Sequence, residues 1–262
     1  MSENHRLEDY LLPGLPAERV RACYTRAAGH ELTNGKFFSP ESSAGLVANC
    51  FGLFLDRPEA LPPLPGTAAL GWPASYVDLE AVVRFPWSGG RHPHLDVLIE
   101  TDEALIGIES KRYEPFRAKS SAEISDAYLR PVWGEKMVGY ERMRGALCDG
   151  TARYRHLDAA QLVKHALGLR TAIHRQDRAC PKQPVLFYLF AEPATWSDGQ
   201  PLRHEHRTAH RNEIQHFADA VAGDEVTFLF CSYARLLAAW SAQTEAPIRA
   251  HAAAVRNRYV VD

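Results

Sequence analysis

Residues 94–114 read HLDVLIETDEALIGIESKRYE. Two apolar runs of strand length flank Thr101-Asp102-Glu103, so the stretch predicts a hairpin of strands His94 to Glu100 and Leu105 to Lys111. Each strand carries charge where a buried strand should not: Asp96 in the first, Glu109 and Lys111 in the second. Side chains alternate along a strand, so Glu109 and Lys111 share one face and Ser110 takes the other. Hairpin neighbours run about 5 Å apart, which brings Asp96 towards Glu109. Two carboxylates in an apolar sheet repel unless a cation lies between them. Hard oxygen ligands with open positions suit Mg²⁺, with Mn²⁺ as a substitute. A lysine beside them suits the charge that develops in phosphoryl chemistry.

Working outward, a strand at about Tyr76 to Phe85 precedes the hairpin, with Ser88-Gly89-Gly90 as its turn, giving an antiparallel meander of three. Upstream, Ser39-Pro40-Glu41 reads as a helix start, with the helix running to about Leu55. Leu46, Cys50 and Phe54 form its apolar face, while Glu41, Gly45, Asn49 and Gly52 form a narrow stripe of small or polar residues that leaves Asn49 unexplained. Five prolines between Arg57 and Pro73 mark an extended connector. Downstream come helices near Ile124 to Ala146 and Asp158 to Leu169, strand Val185 to Phe190, helix Arg207 to Ala222, strand Val226 to Cys231 and a Ser232-capped helix. This order predicts a single α/β domain over residues 1–262, with its core at about 40–232, a mixed central sheet flanked by helices on both faces, and helical additions at each end.

Composition narrows the function classes. The 262 residues are 46% hydrophobic and 24% charged with formal net charge -2, which excludes a disordered chain and any global basic field. Basic residues are mostly Arg, with only six Lys (36, 111, 119, 136, 164, 182). Five scattered cysteines without a CxxC pair, a polar N-terminus and no membrane-length apolar run predict a cytoplasmic protein with no membrane partner. P-loop, dinucleotide-binding and nucleophile-elbow motifs are all missing.

Asp96, twelve intervening residues and then Glu109-Ser110-Lys111 resembles the D…ExK signature of the PD-(D/E)xK nuclease superfamily, the restriction-endonuclease-like fold. The segments SSAGLVANCFG, Leu79-Glu80, ESKRYEPF and DAAQLVKHALGL are similar to a bacterial subgroup within it, over roughly residues 41–169. The resemblance implies a restriction-endonuclease-like core and a Mg²⁺-dependent nuclease acting on nucleic acid, with DNA as the expected substrate. Asp96, Glu109 and the backbone carbonyl of Ser110 would be the metal ligands, and Lys111 would position or activate the attacking water. The superfamily's proline before the aspartate is replaced here by Leu95, with Pro93 nearby. A further catalytic glutamate is implied, either Glu41 or Glu80; Glu80 is preferred because its strand belongs to the meander. Gln161, on one helix face with Lys164, His165 and Gly168, would orient Lys111 or a phosphate. Cutting both strands of a duplex would call for a homodimer.

Two other readings accompany this one. His204, His206, His210 and His216, with Glu213, suggest a zinc site, although their spacing fits no standard pattern. The tracts Arg203/Arg207/Arg211 and Lys164/Arg170/Arg175/Arg178 offer local positive charge for a phosphate backbone. The functional alternative to a nuclease is a catalytically silent, nuclease-like binding or structural module.

Overall fold

The computed structural model describes residues 6–27, 30–86, 92–117, 124–175 and 182–260. At its centre is one five-stranded mixed sheet in the order β1-β2-β3-β4-β5. β1 (Tyr76–Val82), β2 (His94–Glu100) and β3 (Ala104–Lys111) form the antiparallel meander; β4 (Gln183–Phe190) and β5 (Thr227–Ser232) add in parallel. The apolar β4, PVLFYLF after Gln183, is buried on both faces, as a central parallel strand must be. β1 stops three residues short of the expected Phe85, because Val83 still bonds to Pro93 O (3.0 Å) but Pro93 has no N–H to return. The expected Ser88-Gly89-Gly90 turn lies outside the described residues.

Helices cover both faces. On one side α2 (Ala17–Arg26), α3 (Ser43–Phe51), α7 (Tyr233–Ser241) and α8 (Ala246–Tyr259) pack over Val77, Leu79, Val97, Ile99, Ile106, Ile108 and Phe187, with a short α1 (Leu7–Tyr10) at the rim. On the other, α4 (Val138–Cys148), α5 (Ala159–Arg175) and α6 (His204–Ala220) pack over Leu95, Leu105, Leu186 and Tyr188. Ser232 Oγ caps α7 through Arg235 N (3.2 Å), as expected.

Four helices differ from expectation, α5 by running on to Arg175 past the expected Leu169. α3 is capped by Ser42, whose Oγ accepts from Gly45 N (2.9 Å), and not by Ser39; Glu41 therefore lies outside the helix, and the C-terminal end tightens into a 3₁₀ turn at Gly52–Phe54. The long helix expected from Ile124 is broken into a 3₁₀ turn (Asp126–Leu129) and α4, because Pro131 and the left-handed Gly134 (φ +77°) intervene. A cap from across the fold then starts α4, since Asp224 accepts from Gly139 N (3.0 Å) and Tyr140 N (2.8 Å). α6 begins at His204 instead of Arg207 and ends ahead of Gly223 (φ +86°).

Asn49, unexplained by the sequence, is fully buried at the meeting point of the two chain ends. Its Oδ1 accepts from Leu12 N (2.6 Å), and its Nδ2 lies within hydrogen-bond distance of Tyr10 O (3.0 Å), Gly45 O (2.8 Å) and Tyr259 Oη (2.7 Å). The stripe it belongs to is a packing surface: a Cβ on Gly52 would stand 3.1 Å from Leu15 and 3.3 Å from Val20.

Candidate active site

The meander loses its regularity at one level. Val77, Leu79, Val97 and Ile99 point into the α3/α7 core, yet Val83 and Leu95, which strict alternation would place with them, pack on the α5 side. In β1 the switch falls at Glu80, held at φ +52°, a left-handed conformation that costs about 1 kcal/mol or more for a non-glycine residue. In β2 it falls around Asp96. The β2/β3 ladder ends at Val97↔Ile108, one pair before Asp96 would face Glu109. There the Ser110 amide donates to Asp96 Oδ2 (2.6 Å).

The site assembles around that opening. Glu109, 1% exposed, projects towards α5 and forms an ion pair with Lys111 on the same face. Ser110 Oγ points to the opposite side and meets Tyr233 Oη at 2.7 Å. The expected alternation along β3 therefore holds. Both Glu109 oxygens are buried without a hydrogen bond of good geometry. Glu80 is buried and feels Asp96, Glu31 and Glu109 electrostatically, so its strand brings it to the same centre. Glu41 does not come there: it pairs with Arg117 and accepts from Ser197 Oγ at 2.6 Å.

Electrostatics follow from this crowding. Desolvation, then the Asp96, Glu31 and Glu109 charges, push the Glu80 carboxyl up to about 8. Desolvation and Glu109 raise Asp96 well above the carboxylate range, against the pull of Lys111 and the Ser110 amide. Glu109 is also raised by desolvation, with Lys111 opposing. Burial works against the Lys111 ammonium, but Glu109, Asp96 and Glu114 more than offset it, and the amine is held charged above its ordinary range.

α5 contributes differently from expectation. Among the described residues, no side-chain partner fixes Gln161 at the site; its backbone N–H donates to the Asp158 cap (3.0 Å). One turn on, the buried His165 places Nδ1 3.4 Å from Glu109 Oε2. Burial, then Lys111, lower this imidazole to about 3, so it stands neutral. Lys164 turns away and lies over the Tyr128 ring (5.6 Å). Gly168 allows the approach, since a Cβ there would meet Val83 Cγ2 at 2.6 Å. The spacing of Gln161 and His165 marks the correct helix face but not which residue reaches furthest.

The suggested zinc group dissolves. His210 is buried with Nε2 on Tyr188 Oη (2.9 Å), and His216 Nδ1 lies on Tyr154 Oη (3.0 Å). Glu213 is committed to the backbone N–H groups of Arg155, His156 and Leu157 at 2.9, 2.7 and 2.7 Å. The basic tracts are also partly engaged: Arg211 pairs with Glu192, Arg170 with Glu225 (3.3 Å), and Arg178 lies outside the described residues.

Among the described residues, no group of three or more His, Cys, Asp or Glu forms a ready metal cage. Mg²⁺, however, is commonly held by one or two carboxylates with waters, and the buried Glu109 carboxylate, paired with Lys111 and in electrostatic reach of Asp96, is of that chemistry. A cavity of 420 Å³ is lined by residues including Glu31, Lys36, Glu41, Tyr113, Glu114 and Arg117, and its Glu31 lies within electrostatic reach of Glu80 and Lys111. Among the described residues, no helix is long and apolar enough to cross a membrane. No family model matches this chain, and no curated protein or solved structure is similar to it.

Proposed function

We propose that this protein is a Mg²⁺-dependent nuclease with a restriction-endonuclease-like core, hydrolysing phosphodiester bonds of nucleic acid, DNA in the first instance. The observation that carries the reading is the opening of the β2/β3 ladder at one level, where Asp96, Glu109 and Lys111 gather with Glu80 alongside. In a sheet built only for stability, burying mutually repelling carboxylates around one lysine would be costly without return.

Asp96, Glu109 and the Ser110 carbonyl would hold the ion, with Glu80 as the additional carboxylate. When bound, Mg²⁺ offsets their mutual repulsion and supplies the Lewis acidity and water activation that phosphodiester hydrolysis needs. The Ser110 amide fixes the Asp96 carboxylate in place. Lys111, kept protonated by its acidic neighbours, presents N–H donors at Nζ to a phosphate oxygen and to the attacking water. His165, neutral beside Glu109, holds that carboxylate from the α5 side without adding charge.

Plasmid and oligonucleotide cleavage with Mg²⁺ or Mn²⁺ tests the reading. Wild type should cleave, and Asp96→Ala and Lys111→Ala should each lose roughly 10²-fold or more. No cleavage above these variants on duplex DNA, single-stranded DNA or RNA would overturn it and leave the silent module.

A further inference from the structure

The mouth of the site is built from three separate segments that meet on one side chain. Glu41, ahead of α3, is gripped by Arg117, just past the 3₁₀ turn Glu114–Phe116, and by Ser197, in the hairpin closed by the Thr195↔Pro201 bridge. Glu41 and Arg117 of this clasp line the 420 Å³ cavity, whose Glu31 is in electrostatic reach of Glu80 and Lys111. Behind it is a column of flat groups. The Arg112 guanidinium lies over the Tyr259 and Tyr113 rings (4.8 and 5.1 Å), Tyr113 stacks on Trp196 (5.6 Å, 21° between planes), and the Arg117 guanidinium covers Trp196 at 5.6 Å. The column ends on Arg117, which also lines the cavity.

We infer, on the nuclease reading above, that the strand cut here is unpaired: single-stranded DNA enters the cavity, lays a base on the Arg117–Trp196 platform and exchanges one of its phosphates for Glu41 on Arg117. A duplex is a stiff rod whose bases already stack on one another, so it has none free for such a platform and cannot fold into a cavity of this size. An unpaired strand bends at every phosphate and offers each base's π-face to an aromatic or guanidinium plane. A carboxylate gripping the guanidinium at the entrance occupies it as a phosphate would, because Arg binds both through the same fork. Glu31, Glu114 and, until it is displaced, Glu41 are the opposing charges in the cavity; Lys36 and Arg117 attract the backbone, with Lys111 in electrostatic reach of Glu31 and Glu114.

The test measures fluorescence anisotropy of a fluorescein-labelled single-stranded oligodeoxynucleotide and of its duplex at one salt concentration, with the full chain in EDTA so that no cutting occurs. The single strand should bind at least tenfold tighter than the duplex. Trp196→Ala should weaken single-strand binding about tenfold, the scale of one lost base stack, with duplex binding unchanged. Glu41→Gln, which frees Arg117 without emptying any packed space, should tighten single-strand binding severalfold, an effect that damage to the fold does not produce. Equal or tighter duplex binding, or no gain in Glu41→Gln, overturns the inference. The two readings fail separately. Single-strand preference in EDTA with no cleavage in Mg²⁺ or Mn²⁺ overturns the nuclease, whereas duplex cleavage without that preference overturns only the strand assignment.

Discussion

Glu80 condenses the residue-scale logic of this protein: a glutamate in the left-handed region, buried in a strand, with its carboxyl raised to about 8. Such a group favours folding while protonated and opposes it when charged. Its folded pKa lies above the ordinary 4.5, so it costs nothing below that value, and the cost grows as pH rises towards about 8. The charges facing it are Asp96, Glu31 and Glu109, with Lys111 partly opposing. In EDTA, therefore, wild type should lose Tm relative to Glu80→Gln as pH rises from about 4.5 to about 8, by an amount on the order of a few kcal/mol in stability, whereas His165, lowered to about 3, acts in the opposite direction below about 6.5 in both proteins and cancels from the comparison. Millimolar Mg²⁺ should restore most of the lost Tm at the high end and little at the low end, which differential scanning fluorimetry across pH reads directly. A Tm difference between Glu80→Gln and wild type that stays constant or narrows as pH rises over this interval would refute the account. At this scale the sequence was legible where charge interrupts an apolar run, as at Asp96, Glu109 and Lys111. It was silent where the informative fact is a contact across the fold. Nothing local to Glu41 announces Arg117 and Ser197, and nothing in the helical spacing of Gln161, Lys164 and His165 says that the imidazole meets Glu109.

Among the elements, strands were read more accurately than helix starts, and the reasons are physical. β2 matches its expected limits and β3 and β4 extend them by one and two residues, because apolar runs bounded by turn residues locate buried strands well. Helix α3 shows the opposite difficulty. Ser39-Pro40-Glu41 carries every local mark of an N-terminus, but Ser42 offers the same hydroxyl three residues later and wins, because capping there leaves Glu41 free to bind Arg117. Ser42→Ala should thus cost about 1 kcal/mol in chemical denaturation, whereas Ser39→Ala, whose Oγ receives only the Glu41 amide at 3.3 Å, should fall within about 0.5 kcal/mol of wild type. Equal losses in the two variants would return the cap to Ser39. α4 and the loop before α5 could not be read locally at all, since carboxylates far along the chain, Asp224 and Glu213, satisfy their backbone N–H groups.

At the scale of the whole molecule, the α/β class, the mixed sheet and its two helical faces followed from element order, while the way the chain ends join the body did not. That joint is Asn49. Its carboxamide serves Tyr10, Leu12, Gly45 and Tyr259, so removing it strands several buried polar groups at once. Asn49→Leu should cost roughly 2–4 kcal/mol, and hydrogen exchange should quicken together in residues 6–26 and in α8 while the amides of β3 and β4 stay protected. Faster exchange at one end only would show that the two are not joined through this side chain. The same joint reaches the site, because Arg112, next to Lys111, donates to Tyr259 O at 2.9 Å. Consider the chain as the ribosome extrudes it. Every strand of the sheet has been made by Ser232, yet the residue beside Lys111 and the amide of Asn49 still wait for Tyr259, the last residue of α8. Fastening of Arg112 and Asn49 is thereby tied to synthesis of this helix, and a nascent chain halted within it carries all the carboxylates while both side chains still lack their Tyr259 partner.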